Sequence, residues 1–444
     1  MAETLLAQPL TLPCGARLPN RLCKAAMTEG LADAWLRATP RLARLYRTWS
    51  EGGAGLLVSG NVQVDRRVLE RPGNVAIDVT DPATTSAEAR AGLAEWARAG
   101  TAAGNHLWMQ ISHAGRQSPR YVTGEPLAPS AVQLDILGHY ARPRALTEAE
   151  ILDLVSRFAA VAAIARDGGF TGVQVHGAHG YLISSFLSPV TNLRTDAWGG
   201  SLENRARFLL ETLRAVRRSV GRDFPVGLKL NSDDFRQGGF SNEECVQVVR
   251  WLNDESVDLL EVSGGTYEQP RLLGFEGRRD SVVPVRESSR RREAYFAAYA
   301  ERIRAVATMP LMITGGFRTR EGMESALAEG DCDVIGLGRP LCTEPDLPRR
   351  LLSGEADAAV AWEHRLRFAG RGWLSPASPL LPARVLNVLA SQGWYYQQIF
   401  RIADTGAPDT RLGLGAAARA YLADEFTAAR RLRRARRDAG RSSQ

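Results

Sequence analysis

Short apolar runs flanked by glycine alternate along the chain with longer stretches whose apolar residues recur every three or four positions, and the alternation persists to about residue 350. The short runs predict eight strands, at 22–25, 56–59, 107–111, 173–175, 226–230, 259–262, 311–314 and 334–337. The stretches between them carry helix start and stop signals. Thr39 followed by Pro40 predicts an N-cap with proline in the first turn; Leu42, Leu45, Tyr46 and Trp49 form the apolar stripe, and Gly52 and Gly53 end it. Thr147 with Glu150 predicts a capping box ahead of Ile151, Leu154, Val155, Phe158 and Val161, and Ser241 with Glu244 repeats the device. Strands too apolar to be half exposed, each followed by a helix, predict a closed parallel (β/α)8 TIM barrel with its helices outside. A doubly wound open sheet is the alternative, but no G-x-G-x-x-G follows the first strand. Beyond residue 350 the alternation stops. The remainder predicts helices over 383–403, with Leu386, Leu389, Tyr396 and Ile399 as the stripe, and over 416–437. The expected organisation is therefore a barrel over 1–350 and a helical appendage over 351–444, packing on the barrel or on a neighbouring subunit.

With 44% hydrophobic and 24% charged residues in 444, the composition is that of an ordinary globular chain. Five cysteines, odd in number and without a C-x-x-C pair, encode neither a disulfide framework nor a zinc ribbon or iron–sulfur cluster, which points to a reducing cytoplasm. No basic leader and no apolar run of membrane-spanning length is present, so the expectation is a soluble, unexported protein. The net charge of +7 is concentrated: residues 427–444 hold seven Arg and one Asp, which makes +6, and leave the body near neutral. No aromatic residues interleave with these arginines, so the tail reads as a solvated helix end rather than a nucleic-acid contact. The expected partner is a small-molecule substrate, without nucleic acid or membrane, and a homo-oligomer is left open. Of 56 cationic side chains, all are Arg except Lys24 and Lys229, which draws attention to a lysine on a strand.

In a barrel the chemistry stands where strands end. Ala25, Ala26, Met27 and Thr28 follow the first strand; Ser59, Gly60 and Asn61 the second; Gln110 closes the third, with His113 just beyond; HGAHGY at 176–181 follows the fourth; Lys229 lies near the end of the fifth; Ser263, Gly264 and Gly265 follow the sixth. Gly315 and Gly316 after the seventh, and Gly338 with Arg339 after the eighth, offer free backbone N–H groups and a guanidinium, the usual phosphate position of this architecture. Lys229 can be a Schiff-base nucleophile, a fixed charge beside a developing anion, or half of a structural ion pair with Asp233 or Asp234. His176 and His179 have no acidic neighbours, which argues against a metal. Two neutral imidazoles can instead donate to one carbonyl oxygen while the Tyr181 phenol delivers a proton, or they can merely satisfy loop carbonyls.

The run HGAHGYLISSFLSPVTNLRTDAWGGSLENRARF at 176–208 resembles the signature of the old yellow enzyme family, the FMN-dependent ene-reductases and NADH:flavin oxidoreductases. PNRLCKAAMTE from Pro19, GLLVSGNV from Gly55, MQISHAGRQ from Met109 and GLGRPL from Gly336 resemble that family's segments in the same order. The resemblance implies a TIM barrel that holds FMN non-covalently, takes electrons from NAD(P)H and passes hydride to an alkene conjugated to a carbonyl. The implied cofactor-binding residues are Ala25, Ala26, Met27, Thr28, Gly60, Gln110, Lys229, Ser263, Gly315, Gly316, Gly338 and Arg339. Among them Thr28 stands near the flavin C4 carbonyl, Gly60 under the ring and Gln110 at the pyrimidine edge. His176 and His179 match the pair that binds the substrate carbonyl, Tyr181 matches the proton donor, and no metal is implied. Lys229 stands where the family commonly has Arg, and Trp198 replaces the usual Tyr, expected to be a packing change. Two other readings compete: an aldolase-type lyase with Lys229 as Schiff base, and a non-catalytic binding protein that uses the basic tail.

Overall fold

The computed structural model describes residues 4–136, 138–263 and 297–442. An antiparallel pair, β1 (Leu10–Thr11) and β2 (Arg17–Leu18), precedes β3 (Leu22–Lys24), β4 (Leu56–Gln63) and β5 (His106–Ser112). A small pair, β6 (Leu127–Ala128) and β7 (Arg144–Ala145), interrupts before β8 (Gly172–Gly177), β9 (Val226–Asn231), β10 (Leu259–Ser263), β11 (Leu311–Thr314) and β12 (Val334–Leu337). β3, β4, β5 and β8 to β12 pair in parallel and close in the order β10-β11-β12-β3-β4-β5-β8-β9. All eight expected strands are present, in the closed (β/α)8 arrangement. Continuous burial along them explains why they read as unbroken apolar runs.

The helices are α1 (Pro40–Glu51), α2 (Pro82–Thr85), α3 (Ala87–Gly100), α4 (Glu148–Asp167), α5 (Leu182–Leu187) and α6 (Leu202–Val220). They continue with α7 (Asn242–Leu252), α8 (Ala297–Arg304), α9 (Arg320–Ala328), α10 (Leu347–Ser353), α11 (Leu381–Thr405) and α12 (Leu414–Ser442). Thr39 caps α1 through the Leu42 N–H, and the two capping boxes, Thr147 with Glu150 and Ser241 with Glu244, form as expected. Replacing Thr147 by Ala removes the side-chain acceptor at the start of α4 and is expected to lower stability by about 1 kcal/mol, seen as a lower urea midpoint at unchanged slope.

Leu12, directly after β1, and Leu18 on β2 share one apolar cluster with Cys23, Leu56, Val58, Trp108, Leu259, Met312 and Val334 inside the barrel. The N-terminal pair thus stoppers the lower end, and Cys14 is tied there by its N–H to Asp258 at 2.9 Å. Above this apolar plug the interior turns polar, which directs ligands to the opposite mouth.

Three expectations change. Ser59, Gly60 and Asn61 lie within β4 rather than after it, and the register against β5 shifts between Val58 and Asn61. In α11, Leu386 and Leu389 are 44% and 45% exposed, whereas Trp394, Ile399, Phe400, Ile402 and Ala403 are buried. The docking face is set by α1 beneath it, where Arg41 pairs with Asp404 and the Arg44 Nε donates to the Ala403 carbonyl. The basic tail is not simply solvated: Arg433 and Arg436 donate to the carbonyls of Tyr121, Val122 and Arg66, and Leu432 packs with Leu36, Leu69, Ala76 and Val122. No described helix is long and apolar enough to cross a membrane. The expected loop after the sixth strand, with Gly264 and Gly265, lies outside the described residues.

Candidate active site

Side chains alternate across each strand, so residues two apart on one strand climb the same wall of the barrel. One step above Trp108 stands Gln110, whose Nε2 donates to Gln174 Oε1 at 2.6 Å; Gln174 in turn donates to Glu261 Oε2 at 2.8 Å. Glu261 Oε1 lies 2.8 Å from Lys229 Nζ, because parallel pairing sets Lys229 directly beside Glu261. Lys229 therefore has an ion-pair partner, but neither of the expected ones. Asp233 accepts the Phe235 and Asn242 N–H groups, and Asp234 accepts from Asn231 and Phe240. A carboxylate in the middle of an apolar strand was the available signal for Glu261: a charge there needs a partner on the neighbouring strand.

The same register places His176 beside Lys229 on the other flank. His176 and His179 have ring centroids 5.1 Å apart, and Tyr181 lies 4.8 Å from His176, so the three assigned residues converge. Burial holds the His176 imidazole well below its ordinary pKa, assisted by His179 and Lys229, and burial with Lys229 does the same to His179. Both rings are thus neutral at physiological pH. The His176 Nδ1 accepts the Ala178 N–H at 3.2 Å, which leaves Nε2 to carry the hydrogen. His179 adopts φ 63°, a left-handed conformation held by its N–H bond to Asn231 Oδ1 at 3.0 Å. Its Nε2 is 2.6 Å from Ser263 Oγ, so Ser263 contacts the histidine pair directly. Among the described residues no group of three His, Cys, Asp or Glu side chains could hold a metal.

Below the first strand's end, the second lysine is buried in a network that sequence reasoning missed. Lys24 Nζ donates to Tyr46 Oη at 3.1 Å and Val58 O at 2.8 Å, lies 3.8 Å from Glu29, and sits 4.3 Å from the Trp49 ring. Burial pulls this ammonium down to about 8, against the opposing charge of Glu29. Glu29 accepts the Tyr46 hydroxyl and, at 2.9 Å, the Gly60 N–H. A Cβ on Gly60 would lie 2.5 Å from Met27 O and 2.7 Å from Thr28 Cα, so close packing against the 27–29 segment demands glycine. Ala25 is anchored to β12 by its N–H bond to Leu337 O at 2.9 Å, and Met27 Sδ lies 3.5 Å from Cys342 Sγ. Ala26 packs against the apolar plug.

Gly315 and Gly316 take φ 112° and 83°, conformations that favour glycine and turn the chain tightly after β11. A Cβ on Gly338 would meet only Met27 Sδ, at 3.9 Å, so this turn is open. Arg339 begins the 3-10 turn Arg339–Cys342. Burial raises the Glu363 carboxyl, but its own backbone bond and the charges of Arg318 and Arg339 hold it below its ordinary value. The appendage therefore supplies an acidic neighbour to the expected phosphate corner.

A family model described as NADH:flavin oxidoreductase / NADH oxidase family matches residues 6–358. Barrel and match together define a flavin oxidoreductase on a TIM-barrel scaffold. The chain belongs to the NADH:flavin oxidoreductase / NADH oxidase family, to which old yellow enzyme homologues also belong. It is 39% identical over 366 residues to a protein of Neonectria sp. (strain DH2) named NADH-dependent flavin oxidoreductase iliE, covering 79% of this chain but 47% of that longer one. It is 36% identical over 432 residues to NADH-dependent flavin oxidoreductase iccE of Talaromyces variabilis, covering 91% of this chain and 100% of the relative. Among solved structures, the old yellow enzyme homologue from Zymomonas mobilis superposes with a TM-score of 0.67 at 27% identity, covering 85% of this chain and 99% of that one.

Proposed function

We propose that this protein is an FMN-dependent oxidoreductase that takes electrons from NAD(P)H and reduces an alkene activated by a conjugated carbonyl. The observation that carries the reading is the convergence of His176, His179 and Tyr181 beside Lys229 at the upper end of the barrel. The donor set suits FMN. Gln110 keeps a second amide hydrogen and a carbonyl oxygen for a pyrimidine-like edge, Lys229 brings positive charge to that level, Thr28, its hydrogen given to Glu70, offers a hydroxyl oxygen as acceptor, and the turns at Gly315, Gly316 and Gly338 with Arg339 suit a phosphate. Ala25, Ala26 and Met27 would line the ring, and Gly60 keeps the β4 wall flat.

When bound, the flavin supplies the hydride that reaches the alkene. The chain's own part begins with the substrate carbonyl. A neutral imidazole donates to that oxygen without having to lose a charge, and its hydrogen bond strengthens as negative charge grows there. His176 Nε2–H is such a donor. His179 reaches the same oxygen either through Nδ1 or by exchanging Ser263 for the guest. Tyr181, at the start of α5 and buried, delivers the proton to the carbon next to the carbonyl. Replacing Tyr181 by Phe is expected to leave FMN bound and to slow alkene reduction by about 10²-fold or more, measured by following flavin reoxidation without oxygen. Unchanged reoxidation with a substrate that requires this proton would remove the assigned role.

The visible absorbance of the purified protein, yellow if flavin is bound, with release of FMN on denaturation, tests the cofactor itself. The aldolase-type reading loses its footing, since Lys229 is ion-paired to Glu261 rather than presented as a free amine. The binding-protein reading loses two of its tail arginines to the protein's own loop carbonyls.

A further inference from the structure

Arg71, on the loop after β4, joins the C-terminal helices to the rim of the candidate site, and no step of the proposed reaction uses it. It is 5% exposed. Its guanidinium carbon lies 4.0 Å from the ring of Tyr396 on α11 and 5.5 Å from that of Tyr421 on α12, and these rings stack with centroids 5.2 Å apart. Its Nη2 pairs with Glu425 on α12, whose other oxygen accepts the Tyr121 hydroxyl at 3.3 Å. On its far side the guanidinium rests on the barrel: a Cβ on Gly30 would come within 2.7 Å of Cζ. One buried cation is thus gripped between the rim segment that follows Glu29 and both appended helices. Cation–π contact and a buried charge pair make that grip hard to release.

The neighbouring residue faces the site. Glu70 Oε2 accepts from Thr28 Oγ1 at 2.8 Å and from Asn61 Nδ2 at 2.6 Å. A threonine hydroxyl has a single hydrogen, and Thr28 directs its hydrogen at Glu70, so on its remaining side it can only accept. Thr28 is the hydroxyl assigned above to the flavin edge. We propose that α11 and α12 clamp Arg71 so that Glu70 holds the Thr28 hydroxyl in one orientation, which makes Glu70 a positioning residue for the cofactor. The inference rests on the FMN reading. The sequence match that spans 91% of this chain and all of one relative extends beyond the barrel into the appended segment.

A carboxylate at that edge opposes the uptake of electrons by a neighbouring flavin, and it withholds the threonine hydrogen from the flavin's carbonyl. Glu70→Gln is expected to make bound FMN easier to reduce, with a shift of about tenfold in the oxidised-to-reduced equilibrium, or ~30 mV for a two-electron couple. Tyr421→Leu, which alters only the clamp, is expected to move the potential in the same direction and to speed amide hydrogen exchange at 65–74, whereas Tyr421→Phe retains the wild-type values of both. A Tyr421→Leu protein with a lower melting temperature but wild-type potential and exchange overturns the proposal, because the helices would then only add surface packing. Should Tyr421→Leu not fold, Glu425→Gln removes the charge at constant shape and carries the same two readings. A protein that takes up no FMN sinks the functional reading instead, and the clamp is then decided by exchange at 65–74 alone: faster exchange in the variant supports it, unchanged exchange overturns it.

Discussion

Lowering the pH from 7 to 5 is expected to destabilise the folded protein by several kcal/mol, through histidines that fold as neutral groups. His113 and His176 are buried and His179 is partly buried, and burial lowers each of them; for His113 the value falls to about 4, with Asp65 resisting only in part. The His113 Nδ1 accepts the Gly115 N–H at 3.0 Å, while its Nε2 is buried without a partner, 3.9 Å from Asp65. In the unfolded chain each imidazole gains a proton below about pH 6.5, whereas the folded state refuses it, so unfolding is favoured as pH falls. The cost is about 1.4 kcal/mol per pH unit for each such histidine, and it accrues from about pH 6.5 down to the folded value. Asp233 and Asp234, raised by burial, work in the opposite direction and reduce the net slope. Urea midpoints at pH 7, 6 and 5 measure the effect, and a flat profile would show that the folded protein protonates these rings. His106 and His139, also lowered by burial, add to the slope, and His113→Asn should remove the His113 share of it without touching the substrate pair. The neutrality that causes this acid lability also keeps His176 and His179 fit to donate from uncharged rings.

Lys229→Met is expected to be the most damaging single change inside the barrel. It leaves the Glu261 carboxylate buried beside an apolar side chain, with Gln174 as its remaining donor, and breaking a buried pair in this way costs about 3–5 kcal/mol. The double variant Lys229→Met, Glu261→Gln removes both charges and should recover most of that stability while still lacking the cation beside the cofactor. Chemical unfolding of the three proteins, with FMN content measured on each, separates the structural from the electrostatic role. Equal stability of Lys229→Met and the parent would mean that the ion pair contributes nothing. Recovery of full flavin reduction in the double variant would mean that the charge at this position is not required.

The eight barrel strands were legible because a strand buried on both faces carries its signal in its own few residues. The helix starts were legible for the same reason: Thr39 with Pro40, Thr147 with Glu150 and Ser241 with Glu244 act within one turn. The end of β4 was not, because Gly60 stays in the strand by fitting against the 27–29 segment, a contact between distant parts of the chain. In α11 the helical period was correct, yet Leu386 and Leu389 lie on the exposed face, since periodicity reveals a stripe but not which neighbour covers it.

By itself, then, the sequence determined the barrel, its family, and the convergence of His176, His179 and Tyr181, which six consecutive residues carry on one strand end. Tertiary structure decided what these groups meet. Strand register, not proximity in sequence, gave Lys229 to Glu261 in place of Asp233 or Asp234; helix docking brought Tyr396, Tyr421 and Glu425 around Arg71; and loop packing set Glu70 on Thr28. The division follows from the range of the interactions. Caps, turns and apolar periodicity act over a few residues and leave a local imprint, whereas a buried charge is satisfied by whatever partner the fold brings within about 3 Å, and nothing in its own neighbourhood along the chain names that partner.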